Sequence, residues 1–531
     1  MGVVGATVRA MEGVVPRVRL ADLVAALSLG VDLGFGQPME HVLRQCLIAL
    51  RLADALGLDD DERSVVYYTS LLVNVGCHSD AHEQAKWFGD DIEMKSAKYT
   101  HEPGSLAEAV AGVRQVGKGY PAMQRFRIGL ELAVGGMRDL NQMITRHAAM
   151  ARSLAGEIGL PPVVQEAVGS SYEQWDGKGW PGRLAGSDIP VAARLALLAE
   201  YVEVAHRVGG VSEALSMARR RAGRQFDPTL VALLAAQADA VLGSLAAVQT
   251  WDAVIAAEPA LGMSLDADGL DAALLGVANF VDLKSPYTLG HARAVSELVA
   301  AAGSELGLPP ADVATLRRAG LVHDLGRLGI SNAIWDKAGP LGAGEWERVR
   351  LHPYLTERML RQSSWLAPLG AIAVQHRERL DGSGYPHGLS GAAITPFARL
   401  LGAADAYQSM REERPYRPAL SPARAAEELR QDVAAGRLDG DAVTAVLTAA
   451  GHAVPRRKQR PDGLTEREVE VLRLLARGLS SKAIGTALVI SPKTARNHIE
   501  HIYAKTGATS RVTASLYAMQ QGLVPAEEYP G

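Results

Sequence analysis

An internal repeat constrains this chain more than any other feature. The run Tyr172-Glu173-Gln174-Trp175-Asp176-Gly177-Lys178-Gly179-Trp180-Pro181 returns 205 residues later as Arg377-Glu378-Arg379-Leu380-Asp381-Gly382-Ser383-Gly384-Tyr385-Pro386. The echo continues in Ile189 and Ile394, and in Arg194-Leu195 and Arg399-Leu400. Upstream, His41 matches His291, and Leu71-Leu72-Val73-Asn74-Val75-Gly76 matches Leu321-Val322-His323-Asp324-Leu325-Gly326, both 250 residues apart. The 45-residue difference between 250 and 205 places an insertion in the first copy, between about Cys77 and Met143. Solenoids repeat every roughly 20–50 residues, so this spacing implies two duplicated domains.

Both copies read as helical. Arg293 to Val299 opens an amphipathic helix stopped by Gly307 and Pro309-Pro310, and a further helix from Ala311 to Val322 ends in His323-Asp324. Gly- and Pro-rich loops from Lys337 to Gly344 and from Asp381 to Gly391 punctuate the helices. The 531 residues, 48% hydrophobic and only 5% aromatic, fit a well-buried helical protein of several domains. Cys46 and Cys77 exclude a disulfide framework, and no secretory leader is legible, so the expected location is the cytoplasm. The most apolar stretch, Thr229 to Val248, is broken by Gln237 and Asp239 and reads as a buried helix, with no membrane involvement.

The expected boundaries are a tail at 1–19, a first domain at 20–245, a second at 262–455 and a third at 462–524. Pro455-Arg456-Arg457-Lys458-Gln459-Arg460-Pro461 forms a charged linker before the third. From Arg456 to Gly522 there are 12 basic and 5 acidic residues, or +7, against a whole-chain charge of −4, which leaves −11 on the remainder. A basic end on an acidic body points to one segment that meets a polyanion.

In the second copy His291, His323, Asp324, His352, His376 and Asp405 are of metal-ligand type. Imidazoles and carboxylates converging on one or two divalent cations would acidify a bound water and neutralise phosphate charge. Adjacent His and Asp at a helix end let both reach one metal while the Asp bridges to a second.

This set resembles the HD-GYP family of bacterial metal-dependent phosphodiesterases, a branch of the HD phosphohydrolases. The resemblance runs from His291 to about Leu429 and rests on His323-Asp324-Leu325-Gly326, Gly339-Pro340-Leu341, Glu345-Trp346, His352-Pro353, Gly384-Tyr385-Pro386, Ala404-Asp405 and Arg414-Pro415-Tyr416-Arg417. It implies an all-α fold, an iron- or manganese-type centre and hydrolysis of cyclic di-GMP. By matched position His291, His323, Asp324 and Asp405 would hold a first metal. Asp324, His352 and His376 would hold a second. His323, Asp324 and Arg327 become the expected catalytic group, and Arg327, Tyr385, Arg414 and Arg417 the expected contacts to the cyclic nucleotide.

This sequence also departs from the family pattern. Arg377 stands where a second His is usual after His376, Arg327 where Lys is usual, and Gln408 where Asp is usual. Tyr287 replaces the Glu associated with a third metal. The expectation is one firm metal site and a weaker second. The first copy has Val73, Asn74, Ser171 and Glu200 at the matched positions and keeps only His41 and His147. It is therefore expected to be a structural, dimerising or ligand-sensing domain, its glycine-rich run kept for a turn.

At the C-terminus Thr465-Glu466-Arg467-Glu468 is a capping box. Val469, Leu472 and Leu475 follow as a helical stripe closed by Gly478, Ser480 or Ser481 caps a second helix, and Ser491-Pro492 starts a third. The third carries Ala495, Ile499 and Ile502 on one face and Lys493, Arg496 and Asn497 on the other, the layout of a recognition helix. Leu464 to Leu523 resembles the LuxR-type DNA-binding domain, through Leu464-Thr465-Glu466-Arg467-Glu468, Ala476-Arg477-Gly478-Leu479-Ser480, Ser491-Pro492-Lys493-Thr494 and Asn497-His498-Ile499. The resemblance places Lys493, Thr494, Arg496, Asn497 and Lys505 on double-stranded DNA and gives a fourth helix, about Ser510 to Gln520, a part in forming a homodimer.

The expected architecture is all-α, with tandem HD-type domains, the first degenerate, followed by a four-helix helix-turn-helix domain. The leading functional expectation is a DNA-binding regulator whose second HD domain hydrolyses cyclic di-GMP or a related cyclic nucleotide. One alternative makes that domain a non-catalytic nucleotide or metal sensor, and another makes it a hydrolase of a different phosphate ester.

Overall fold

The computed structural model describes residues 18–99, 114–118, 120–131, 137–259, 262–453, 463–488 and 490–524. Nearly all of the expected 1–19 tail, the whole Pro455–Pro461 linker and part of the first-copy insertion lie outside the described residues. The chain forms two compact units, 1–452 and 453–531, so both repeats share one body. Helices dominate, and the described strands are Val18–Arg19 and Ser264–Leu265, paired antiparallel with Val18 opposite Leu265. No described helix is long and apolar enough to cross a membrane.

The duplication is visible bond by bond. Helices His41–Leu56 and His291–Glu305 each follow a left-handed residue, Glu40 (φ 78°) or Gly290 (φ 77°). In both, a buried carboxylate caps the second amide: Val42 donates to Asp32 at 3.0 Å and Ala292 to Asp282 at 2.9 Å. Helices Asp60–Leu72 and Pro310–Val322 run into the 3₁₀ turns Val75–His78 and Leu325–Gly329. There Gly76 and Gly326 abut the helices Met137–Glu157 and His352–Leu360 so closely that a Cβ would lie 2.1 and 2.0 Å from the carbonyl oxygens of His147 and His352. Only glycine fits, and the close approach sets His352 beside the His-Asp pair.

The glycine-rich runs are turns in both copies, with Gly177 at φ 75° and Gly382 at φ 81°. Each wraps a buried glutamate that accepts two loop amides: Glu173 from Gly182 and Arg183, and Glu378 from His387 and Leu389. The unpaired amides of an irregular loop would otherwise be costly to bury.

Two features join the copies. Helix Leu20–Gly34 is buried along almost its whole surface and packs on the Leu325–Gly329 turn. The insertion supplies the second. Asp91, fully buried at the start of helix Asp91–Ser96, accepts from Ser331 Oγ and the Asn332 amide, both at 2.8 Å. Its other oxygen meets Lys95 Nζ at 3.0 Å and Lys284 Nζ at 3.4 Å. Nearby, His82 Nδ1 lies 2.8 Å from Asp336 Oδ2.

Among its described residues the C-terminal unit has four helices, Glu466–Ala476, Ser481–Leu488, Pro492–Thr506 and Arg511–Gln520. Thr465 and Glu468 form the expected capping box, Ser491 caps the third helix with Pro492 at its first position, and Ser510 caps the fourth. Val469, Leu472, Leu475, Ile484, Ala495, Ile499 and Ile502 meet in its core.

Candidate metal centre and DNA-binding face

All six ligand-type residues of the second copy converge and are buried. His291 is the first residue of its helix, His323 ends helix Pro310–Val322, and His352 opens helix His352–Leu360. Asp405 projects from helix Pro396–Arg411. Asp324 lies between two imidazole pairs. Its Oδ2 is 3.7 Å from His291 Nε2 and 3.6 Å from His323 Nε2, while its Oδ1 is 3.5 Å from His352 Nε2 and 3.8 Å from His376 Nε2. Asp405 Oδ1 adds to the first group, 3.4 Å from His291 Nε2 and 3.9 Å from His323 Nε2.

Backbone carbonyls fix how these rings point. Nδ1 of His323, His352 and His376 meets the carbonyls of Gly320, Val349 and Ala373 at 2.7, 2.6 and 2.6 Å. A ring that donates from Nδ1 turns an unprotonated Nε2 inward, the form a metal requires. Burial, helped by the charge on Arg377 and outweighing the pull of Asp324, pushes His352 down to about 4. Burial likewise lowers His323 and His376. Around His291 burial is overcome by hydrogen bonds to Asp405 and Glu412, which push it up to about 9. Burial would raise both carboxyls, yet the surrounding cationic groups hold Asp324 and Asp405 well below the usual range.

The donor set fits a divalent metal. His323 Nε2 and Asp324 Oδ1 are buried without a hydrogen-bond partner, and such orphans are rare unless something else engages them. Two triads, His291–His323–Asp324 and Asp324–His352–His376, have atoms close enough to share an ion.

The cations beside the centre depart from expectation in two places. Arg377, expected to crowd the second triad, carries its guanidinium to Asp405, with NH2 3.1 Å from Oδ2. Arg417 donates to the carbonyls of Ser409, Met410, Glu412 and Pro418 and does not line the cavity, its guanidinium being spent on bracing this turn. Arg327, Arg377, Tyr385 and Arg414 do line a cavity of 580 Å³, together with Trp335, Trp346 and Tyr416. Arg327 meets Asp324 at 2.9 Å and stacks 4.1 Å over Trp335. Sequence reasoning missed Trp335 and Glu412. The Glu412-Glu413 pair directly before Arg414 was the only signal for the latter.

The first copy answers the same geometry with its own cation. Lys98, from the insertion, places Nζ 2.9 Å from Asn74 Oδ1 and 2.5 Å from Glu200 Oε1. Asn74 and Glu200 occupy the positions of Asp324 and Asp405, and Tyr99 adds a hydrogen bond to Glu200 at 2.8 Å. His41 is engaged by Glu203 at 2.5 Å, and His147 lies 2.6 Å from Asp80.

In the C-terminal unit Lys493, Thr494, Arg496 and Asn497 are exposed on the outer face of helix Pro492–Thr506. Lys505 is also exposed, but its ammonium reaches back 2.7 Å to the capping-box Glu468.

Comparison with known proteins agrees with this geometry. A family model described as "HD domain" matches residues 137–230 and 276–442. The 3'3'-cGAMP-specific phosphodiesterase 3 of Vibrio cholerae is 32% identical over 405 residues, covering 76% of this chain and 88% of that protein. The chain belongs to the HD-GYP family. The crystal structure described as cyclic GMP-AMP specific phosphodiesterases of V. cholerae superposes on 83% of this HD-GYP chain and 99% of its own, with a TM-score of 0.57 and 27% identity. A cyclic di-GMP phosphodiesterase of Thermotoga maritima is 34% identical over 150 residues, 27% of this chain and 41% of that one. The model for bacterial regulatory proteins of the luxR family matches 462–518, so the HD-GYP body is joined to a LuxR-type domain.

Proposed function

We propose that the second HD copy hydrolyses a phosphodiester bond of a purine cyclic dinucleotide and that the LuxR-type unit carries the outcome to double-stranded DNA. The observation that supports this most is Asp324, with each carboxylate oxygen facing its own pair of imidazoles, one of which, His352, lines the cation-rich cavity. His291, His323, Asp324 and Asp405 would hold one divalent ion, and Asp324, His352 and His376 a second. A bound ion supplies an acidified water and charge neutralisation at phosphate. The chain's own residues do the rest. Arg327 and Arg414 present forked donors suited to phosphodiester oxygens, and Trp335 and Tyr385 give apolar faces for the bases.

The relatives named for cyclic GMP-AMP and cyclic di-GMP narrow the substrates to test. The purified chain should release linear dinucleotide from one of these two, but not from cyclic mononucleotides, in the presence of manganese. Asp324→Ala should lose both bound metal and hydrolysis. A wild type that carries metal and leaves every cyclic dinucleotide intact would sink the catalytic reading.

One observation favours a second reading. Arg377 is paired to Asp405, so a protein cation already engages a ligand of the first set. In that case the domain senses the nucleotide without cleaving it, and cyclic dinucleotide should alter DNA affinity while remaining intact.

A further inference from the structure

The helix that carries Asp405 ends at Arg411, and the next residue turns its carboxylate back toward the centre. Glu412 lies 2.9 Å (Oε2) and 3.1 Å (Oε1) from His291 Nδ1. The same carboxylate accepts from Arg414 NH2 at 2.7 Å and from Gln408 Nε2 at 2.8 Å. Arg414 is fixed at its other nitrogen by the Tyr287 carbonyl, at 2.6 Å, and it lines the cavity. A single side chain therefore touches the back of an expected metal ligand and the back of an expected phosphate contact.

Among the four inward-facing histidines, His291 is the exception. The others donate Nδ1 to backbone carbonyls, which no substitution removes. His291 alone has a side-chain carboxylate behind it. A carboxylate on the far ring nitrogen fixes the tautomer and raises the basicity of the ligating one, and removing such a partner typically lowers metal affinity about 10–100-fold.

We infer that Glu412 is a positioning residue, holding His291 for the metal and Arg414 for the phosphodiester. The inference rests on the metal-dependent reading above. Glu412 touches neither ion nor substrate and acts only through its two partners. Gln408 donates to the same carboxylate from one turn earlier and keeps it from swinging to solvent.

The experiment uses the full-length chain with Glu412→Gln and Glu412→Ala, measuring manganese affinity by equilibrium dialysis with elemental analysis. Glu412→Ala should bind manganese about 10–100-fold more weakly. Its KM for the hydrolysed cyclic dinucleotide should rise because Arg414 is no longer restrained, while kcat recovers substantially at saturating manganese. Glu412→Gln, of the same shape, should show the same direction more mildly, and circular dichroism and thermal melts would report folding. Arg414→Met should raise KM and leave manganese affinity at the wild-type value, which separates the two arms. Wild-type manganese affinity in both Glu412 variants, with only a lowered Tm, would overturn the inference and leave the metal centre standing. A wild type that binds no manganese would overturn both.

Discussion

Lys98 Nζ lies 2.9 Å from Asn74 Oδ1, in the copy where Asn74 stands in the place of Asp324. With Glu200 also 2.5 Å away, the ammonium sits among residues that correspond to Asp324 and Asp405 of the second copy. The first copy supplies a tethered cation of its own, which keeps the buried Glu200 carboxylate paired. Lys98→Met should leave Glu200 unpaired, destabilising the body by about 3–5 kcal/mol, and Lys98→Met with Glu200→Met should recover most of that stability. Thermal and urea unfolding of the single and double variants checks this. Equal stability of Lys98→Met and wild type would refute it.

The same copy should be acid-sensitive through Glu203. Burial would raise its carboxyl, but its bonds to His41 and Arg44 outweigh burial and bring it down to about 2, from an ordinary 4.5. A depressed carboxyl contributes stability fully above the unfolded value and loses it as pH falls through the folded one. The affected window is therefore pH 4.5 down to about 2. Glu203→Gln should lose on the order of 3 kcal/mol at neutral pH and show a flatter decline across that window. Parallel acid titrations of wild type and variant, followed by circular dichroism, would expose a failure.

Arg377 provides the sharpest test of the second copy. Its guanidinium neutralises Asp405, so Arg377→His should both free that carboxylate and return an imidazole to the centre. We expect manganese affinity to rise by about tenfold and hydrolysis to rise with it at limiting metal. If wild type and variant are both inert at saturating manganese while cyclic dinucleotide shifts DNA affinity, the sensor reading replaces the catalytic one.

For the C-terminal unit, Lys493→Ala with Arg496→Ala should weaken binding to the protein's own promoter DNA. The slope of log affinity against log salt should become shallower by about 0.9 for each phosphate that is no longer neutralised. Their exposed positions on a capped helix motivate the test. Undiminished binding by the double variant would assign DNA recognition to another surface.

Much of this was legible in the sequence because it is local or periodic. The capping residues Thr465 and Ser491, the turn glycines Gly177 and Gly382, and the ordered His and Asp residues all signal through their immediate neighbours. What stayed hidden depends on approaches between residues distant in sequence. Glu412 reaches His291 across 121 positions, and Lys98 reaches Glu200 from an insertion with no counterpart in the second copy. Arg417 misled for a related reason: its motif fixes the residue type but not the direction of a long side chain, which here turns to backbone carbonyls.

The Asp91 bracket has a consequence for the history of the chain. Its carboxylate belongs to the first copy, whereas Ser331, Asn332 and Lys284, which help satisfy it, belong to the second. Shedding the first copy would take the carboxylate from Lys284 and from the amide that opens helix Asn332–Trp335, whose last residue lines the cavity. Shedding the other half would take Lys284, Ser331 and Asn332 from Asp91 and leave it paired with Lys95. The duplication thus acts as a ratchet: each half is free to diverge at its own centre, but removing one costs the survivor buried hydrogen bonds.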